Sequence, residues 1–150
     1  MQDKIKIKIN IVSTKLVQEE ELFYKIKEPF EMVVLMRNLI GSKDREHLIV
    51  VSLNVKNEIN NISTVSIGNL NSSIVHPREV FKTAILSNSC SIILAHNHPS
   101  GSVAPSNQDK YVTDLIKKAG EILGIELLDH IIVGFNNINY YSFKEHEEII

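Results

Sequence analysis

Residues 91–109 read SIILAHNHPSGSVAPSNQD, and this stretch decides how the chain folds around its candidate site. Its first part, residues 91–95, is a short apolar run of the kind expected for a buried strand. His96 and His98 follow at a spacing of two, so on a strand both rings project from the same face. The residues after the loop have the periodicity of an amphipathic helix, with Asp109 in its first turn. The stretch therefore predicts a strand–loop–helix unit that presents two imidazoles and one carboxylate.

These three side chains, His96, His98 and Asp109, are the ligand types of a catalytic zinc site with an open fourth position. Asp109 lies on the apolar side of the helix, where a carboxylate without a partner is costly. Each half of the pattern has a simpler interpretation, because His-X-His pairs occur on solvated strands and Ser106 with Asp109 is also an ordinary helix start. The two halves in this order favour a metal site, and we expect one zinc ion per chain.

The stretch resembles the JAMM (MPN-plus) metalloprotease motif, which is His-X-His, seven residues, Ser, two residues, Asp. That motif maps onto His96, His98, Ser106 and Asp109 without a gap. The resemblance is closest to the RadC-like branch and runs from about residue 30 to the C-terminus. It is carried by residues 72–81, 93–101 and 128–134.

The resemblance implies an MPN-type, cytidine-deaminase-like fold, and the order of elements agrees with it. We expect an α/β (α+β) architecture in which helices flank a mixed, mainly antiparallel sheet, because short connections favour hairpins over parallel crossovers. The metal site would then lie at one edge of the sheet. The predicted helices are 29–40, 77–87 and 106–123, and the predicted strands are 47–55, 59–67, 91–96, 125–133 and 138–143.

We expect residues 1–28 to form an N-terminal extension and residues 29–150 to form the RadC-like MPN/JAB domain. The extension contains a short alternating strand at residues 4–10, followed by a charged segment. Its lysines alternate with isoleucines and do not precede an apolar core, so the pattern is not that of a secretory signal.

The family also uses an upstream glutamate as general acid/base, and the resemblance assigns this role to Glu46, directly before an apolar strand. Glu79 is the rival, although an acidic residue in the first turn of a helix also complements the helix dipole. Glu58 is interpreted as a turn residue. The resemblance further implies that Ser106 donates a hydrogen bond to the oxyanion that develops during hydrolysis.

The implied function is that of a zinc-dependent metallopeptidase or isopeptidase whose substrate is a peptide or isopeptide, in some relatives next to a ubiquitin-like tail. Two alternatives stay open, namely a DNA-repair or DNA-processing factor and a non-catalytic MPN interaction module. The net charge of −2 gives no excess of basic residues that would attract nucleic acid, so the charge does not support DNA as a partner. A zinc deaminase is excluded because its Cys-X-X-Cys pair cannot be built from one cysteine.

Composition places the chain among ordinary globular domains. Its 150 residues are 43% hydrophobic and 23% charged, which is enough apolar material for one core. We expect no membrane partner, because no apolar run is long enough to span a bilayer. A single cysteine excludes an internal disulfide and fits a reducing, cytoplasmic location.

Overall fold

The computed structural model of the chain describes residues 29–70 and 75–149. The strand predicted at residues 4–10 and the charged segment after it lie outside the described residues, so both stay predictions. None of the described helices is both long enough and apolar enough to cross a membrane.

The described part of the chain contains helices and strands close to the predicted ones. Pro at the first position opens both α1 and α2, where a missing amide hydrogen costs nothing. Gly124 ends α3 in the left-handed conformation that glycine adopts without strain. The elements are α1 (Pro29–Ile40), β1 (His47–Leu53), β2 (Ile59–Ile67), α2 (Pro77–Leu86), β3 (Ser91–His98), α3 (Asn107–Leu123), β4 (Glu126–Gly134) and β5 (Tyr140–Ser142).

The five strands form one sheet in the order β2-β1-β3-β4-β5. All neighbouring pairs are antiparallel except β3 and β4, which run parallel because α3 crosses between them. The predicted mixed, mainly antiparallel sheet flanked by helices is thus confirmed and is consistent with an MPN-type fold. The predicted location of the site at one edge of the sheet is wrong, since β3 is the central strand.

The core lies on both faces of the sheet, and the alternation along β3 divides it. Ile92 and Leu94 pack on the face covered by α2 and α3, whereas Ile93 and Ala95 pack on the face covered by α1. The same alternation, continued to the end of the strand, directs even-numbered side chains toward α3. This strand therefore delivers His96 and His98 to one face and Asn97 to the other.

Small differences from the predicted boundaries have local causes. Strand β3 continues to His98, beyond the predicted end at residue 96, because its pairing with β4 extends to Gly134. Helix α3 begins at Asn107 rather than at residue 106, since Ser106 is the N-cap. β5 is shorter than the predicted strand 138–143.

Candidate metal centre

The two histidines lie at the C-terminal end of the central strand. His96 is fully buried, and the His98 side chain is 14% exposed at the rim. Their Nε2 atoms lie 3.0 Å apart. Because strand geometry holds to residue 98, both rings project toward α3, as the spacing of two predicted.

Asp109 brings a carboxylate to the same point from the first turn of α3. Its Oδ1 lies 3.2 Å from Nε2 of His96, and its Oδ2 lies 3.4 Å from Nε2 of His98. The ligand atoms of these three residues all lie within 4.8 Å of one another, as a metal site requires. Within the described residues, this cluster joins side chains from two elements at the carboxyl end of β3.

The helix start holds Asp109 in place through a capping box. Ser106 Oγ accepts a hydrogen bond from the Asp109 amide at 3.1 Å, and the Ser106 amide donates to Asp109 Oδ2 at 2.7 Å. The sequence left open whether Ser106 and Asp109 form a helix cap or part of a site. The structure combines the two, because the carboxylate that closes the box also faces both histidines.

The loop between His98 and Ser106 is fixed against the end of β4. The Gly101 amide donates to the His98 carbonyl at 3.0 Å, and Gly101 has a φ of +83°, which favours glycine. A Cβ at Gly134 would come within 2.7 Å of the Gly101 carbonyl oxygen, so only glycine permits this close approach. The loop in turn positions the Ser102 carbonyl beside the His98 ring.

The donor set fits a cation. Nδ1 of His98 lies 2.7 Å from the Ser102 carbonyl oxygen, which can only accept, so Nδ1 carries the hydrogen. When this ring is neutral, its Nε2 lone pair points toward Nε2 of His96 and the carboxylate of Asp109. Electron pairs that meet at about 3 Å in a buried site repel each other unless a proton or a metal ion lies among them.

The pKa values show the same electron-rich environment. The hydrogen bond with Asp109 raises the pKa of His98 despite partial burial, and the negative charge of Glu46 adds to that rise. Burial lowers the pKa of His96, so this ring stays neutral. Burial also opposes ionisation of Asp109, but its contacts with both imidazoles outweigh burial and hold the pKa of the carboxyl well below its usual range. Metal binding requires a carboxylate and neutral imidazoles, so Asp109 and His96 are already in the binding state, whereas a metal ion must displace any proton that His98 holds.

Glu46 lies at this site although it is distant in sequence. It directly precedes β1, and the pairing of Leu48 with His96 places it beside the end of β3. Its Oε2 accepts a hydrogen bond from the Leu70 amide at 2.7 Å. Its negative charge raises the pKa of His98, although by less than Asp109 does.

Glu79, the rival carboxylate, is engaged on the surface of α2. Its Oε2 lies 2.6 Å from Nζ of Lys82, and its Oε1 lies 3.9 Å from Nε of Arg78. The hydrogen bond with Lys82 lowers the pKa of Glu79. The structure therefore brings Glu46, and not this residue, together with the candidate ligands. Glu58 lies in the β1–β2 turn as expected, where it bonds to Asn54.

Ser106 keeps a hydrogen to donate. The capping bond uses a lone pair of its Oγ, and the side chain is exposed at the start of α3. A hydroxyl can accept one hydrogen bond and donate another at the same time. The cap and a hydrogen bond to a substrate oxygen are therefore compatible.

Asn97 contributes more than its sequence position indicated. It is fully buried on the α1 side of β3, and its Oδ1 accepts from the His47 amide at 2.7 Å. Its Nδ2 donates to the carbonyls of Arg45 and Lys43 at 2.9 and 3.2 Å. These bonds hold the backbone on both sides of Glu46. Alternation along the strand indicated that Asn97 faces away from the histidines, but not what it binds.

Two further polar residues lie behind the site; the sequence left open whether His130 orients a site residue or only forms hydrogen bonds within the last sheet, and it did not assign Thr113. His130 on β4 is fully buried, and its Nε2 lies 2.8 Å from Nδ1 of His96. Thr113 on α3 lies 2.6 Å from the other ring nitrogen of His130. Burial lowers the pKa of His130 well below its ordinary value, so the ring is neutral. The available signal for Thr113 was its position one helical turn after Asp109, on the same face.

Comparison with known proteins gives a consistent family match. The model of the RadC-like JAB domain matches residues 26–148. A UPF0758 protein of Rubrobacter xylanophilus is 53% identical over 121 residues, which cover 81% of this chain and 52% of that protein. A UPF0758 protein of Chlorobaculum tepidum is 50% identical over 122 residues, covering 81% of this chain and 54% of its own length. A UPF0758 protein of Clostridium kluyveri is 53% identical over 122 residues, covering 81% and 53% respectively. The chain thus spans about half the length of the curated relatives it matches.

Proposed function

This chain belongs to the RadC-like JAB domain family, and from that premise we propose that it is a zinc-dependent hydrolase that cleaves peptide or isopeptide bonds. The single observation that carries the proposal is the convergence of His96, His98 and Asp109 within 4.8 Å. Two imidazoles and one carboxylate match the ligand set of catalytic zinc sites that keep a fourth position open. We assign one zinc ion to this set.

The bound zinc would supply Lewis-acid polarisation of a carbonyl and a lowered pKa of water. Glu46 supplies the proton transfer. One of its carboxylate oxygens is oriented by the Leu70 amide, which leaves the other to accept a proton from the attacking water. The carboxyl then returns that proton to the nitrogen of the leaving amine. Asn97 holds the Glu46 backbone in register with the strand that carries the two histidines.

Ser106 supplies the hydrogen bond to the developing oxyanion. Its Oγ is anchored by the Asp109 amide, so the hydroxyl group stays at the rim of the site. Donation from a fixed hydroxyl stabilises negative charge on the carbonyl oxygen of a tetrahedral species. This geometry suits acyl chemistry, and for that reason we propose a peptide or isopeptide as substrate.

The first test is the metal content of purified full-length chain. We expect about one zinc per wild-type chain and almost none in the double variant with His96→Ala and His98→Ala. A matched control is His47→Ala, which removes an imidazole from the start of β1 whose Nδ1 bonds to the Arg45 carbonyl. Equal zinc in wild type and double variant would refute the metal site.

The second test separates the chemical classes of substrate. Zinc-loaded protein is assayed against a peptide library, isopeptide-linked conjugates with a ubiquitin-like tail, and single- and double-stranded DNA and RNA. We expect turnover only in the peptide or isopeptide arms, and its loss in the double variant. Metal-dependent cleavage of nucleic acid without peptide turnover would replace the proposal with a DNA-processing role. Zinc binding with no turnover in any arm would favour an interaction module.

A further inference from the structure

A continuous chain of hydrogen bonds runs behind the candidate metal site, and it begins and ends on candidate ligands. The Thr113 hydroxyl lies 2.7 Å from the main-chain carbonyl oxygen of Asp109 and 2.6 Å from Nδ1 of His130. Nε2 of His130 lies 2.8 Å from Nδ1 of His96. Thr113, His130 and His96 are all buried, with exposed fractions of 3%, 0% and 0%. Water therefore does not compete for these bonds.

The direction of every bond in this chain follows from its first acceptor. The Asp109 carbonyl oxygen has no hydrogen, so the hydroxyl hydrogen of Thr113 must lie on the bond to it. The Thr113 oxygen can then only accept from His130, which places the single hydrogen of this neutral ring on Nδ1. Nε2 of His130 consequently accepts, and Nδ1 of His96 donates to it.

The last step defines what His96 offers to the site. A neutral imidazole with its hydrogen on Nδ1 has its lone pair on Nε2. In this structure Nε2 is the atom that faces His98 and Asp109, at 3.0 and 3.2 Å. With the opposite tautomer, Nε2 would carry a hydrogen and could not bind a metal ion.

We propose that His130 and Thr113 are positioning residues of the metal centre, which fix the tautomer and ring orientation of His96 so that its Nε2 is the metal ligand. This inference rests on the proposed zinc site. A hydrogen-bond partner on the far nitrogen of a ligating histidine typically changes metal affinity 10- to 100-fold when it is removed. Phe143 stacks on His130 with ring centroids 5.0 Å apart, an apolar contact that adds no hydrogen bond to the chain.

The direct test is the tautomer of His130 in the zinc-loaded full chain. Two-bond ¹⁵N–¹H correlation spectra at neutral pH distinguish a protonated from a bare ring nitrogen. We expect His130 with hydrogen on Nδ1 and a bare Nε2, and His96 with hydrogen on Nδ1. A hydrogen on Nε2 of His130 would overturn the proposal, because that ring could not accept from His96.

The second test measures zinc affinity by competition with a chromophoric chelator. His130→Phe keeps a planar ring but removes the acceptor, and we expect a loss of about 10- to 100-fold. His130→Gln retains an acceptor near the position of Nε2 and should recover most of that loss. Thr113→Val removes the group that orients His130 and should weaken binding less than His130→Phe, whereas Thr113→Ser should match wild type.

Controls separate this inference from loss of packing and from failure of the zinc site. Phe143→Leu disturbs the apolar contact with His130 but leaves its hydrogen bonds, so zinc affinity should stay close to wild type. Wild-type protein that binds no zinc would refute the metal site and with it this inference. Tight zinc binding by wild type and equally tight binding by His130→Phe would overturn the positioning role alone.

Discussion

At the end of β3, three successive side chains serve two faces of the sheet. His96 and His98 face α3 as candidate ligands, while Asn97 between them faces α1 and bonds to the backbone around Glu46. Because side chains alternate along β3, adjacent residues of this strand supply the candidate metal ligands and anchor the backbone of the candidate base. Any shift of β1 against β3 would move the base and the ligands apart.

The proposed roles of the two carboxylates can be separated by an isosteric change. Glu46→Gln removes the proton acceptor but none of the three ligands, so zinc content should equal that of wild type. Hydrolysis should fall by about 100- to 10,000-fold, the usual contribution of a general base. Glu79→Gln, which breaks the surface ion pairs with Lys82 and Arg78, is the control and should leave both quantities unchanged. The reverse pattern would assign the base to Glu79.

A second residue-scale prediction concerns Asn97. Asn97→Asp keeps the acceptor for the His47 amide but loses the donor to the carbonyls of Lys43 and Arg45. A buried polar group left without a partner costs about 1–3 kcal/mol. We expect faster amide hydrogen exchange at Glu46 and His47, together with reduced hydrolysis at full zinc content.

The matched control for that change is Asn54→Asp in the β1–β2 turn. The Asn54 Oδ1 accepts from the amides of Lys56 and Glu58, which aspartate can also do, and the change removes the Nδ2 bond to Glu58 just as Asn97→Asp removes the Nδ2 bonds of Asn97. Exchange at Glu46 should not respond to this variant. Unchanged exchange in Asn97→Asp as well would mean that Asn97 does not hold the Glu46 backbone.

The residues found from sequence and those missed differ in how locally they are encoded. His96, His98 and Asp109 lie within one strand–loop–helix unit, so strand and helix periodicity placed them on inward faces, whereas the role of Ser106 came from the family resemblance. Glu46 came from the family resemblance, because its proximity depends on the pairing of Leu48 with His96. His130 depends likewise on the parallel pairing of β3 with β4, which no local pattern specifies.

At the scale of elements, the start of α3 combines a structural and a chemical task. The Ser106 side chain caps the helix by accepting from the Asp109 amide, and the Asp109 carboxylate closes the box from the other side. The helix dipole favours a negative charge at this end, which adds to the reasons for an ionised Asp109. One element boundary therefore sets both the helix start and the position of a ligand.

Substitution of Ser106 should separate the two tasks. Ser106→Ala should lower the free energy of unfolding by about 1 kcal/mol through loss of the cap, and slow hydrolysis by about a hundredfold through loss of the oxyanion donor. Ser106→Gly should cost only a few tenths of a kcal/mol, because glycine is tolerated at an N-cap, but should slow hydrolysis equally. Denaturant unfolding and zinc-dependent turnover measure the two effects. Full activity in Ser106→Gly would remove the oxyanion role.

The order of helices and strands along the chain was predictable from the sequence, whereas the order of the strands in the sheet was not. Apolar periodicity together with proline and glycine punctuation located α1, α2 and α3 and all five described strands to within a few residues. Hairpin connections predicted antiparallel pairs but not the crossover that makes β3 central and parallel to β4. The site was consequently expected at an edge of the sheet, while the structure places it at the end of the middle strand.

For the whole molecule, the candidate site lies where both core clusters meet the end of the sheet. β3 contributes buried residues to the cluster under α2 and α3 and to the cluster under α1. Ligands on β3 and α3 would therefore be joined by a bound metal across the layer boundary. A metal ion that binds only the folded state stabilises it, by about 2.7 kcal/mol when the free metal concentration is one hundred times the dissociation constant.

This linkage predicts a zinc-dependent rise in thermal stability that grows with pH. In metal-free protein, Asp109 holds the pKa of His98 above its ordinary value. The contact between protonated His98 and Asp109 therefore stabilises the fold fully at low pH, and this stabilisation is lost as pH rises through the folded-state pKa of His98. Zinc binds only the deprotonated His98 ring, so the stabilisation that zinc provides increases as pH rises. The difference in Tm between zinc-loaded and chelator-treated protein should therefore widen from about pH 6 to pH 8 and reach roughly 5–10 °C at saturating zinc. Calorimetry at a fixed, buffered concentration of free zinc measures it, and the His96→Ala, His98→Ala double variant should show no such difference. An equal rise in Tm in that variant would locate the zinc elsewhere on the chain.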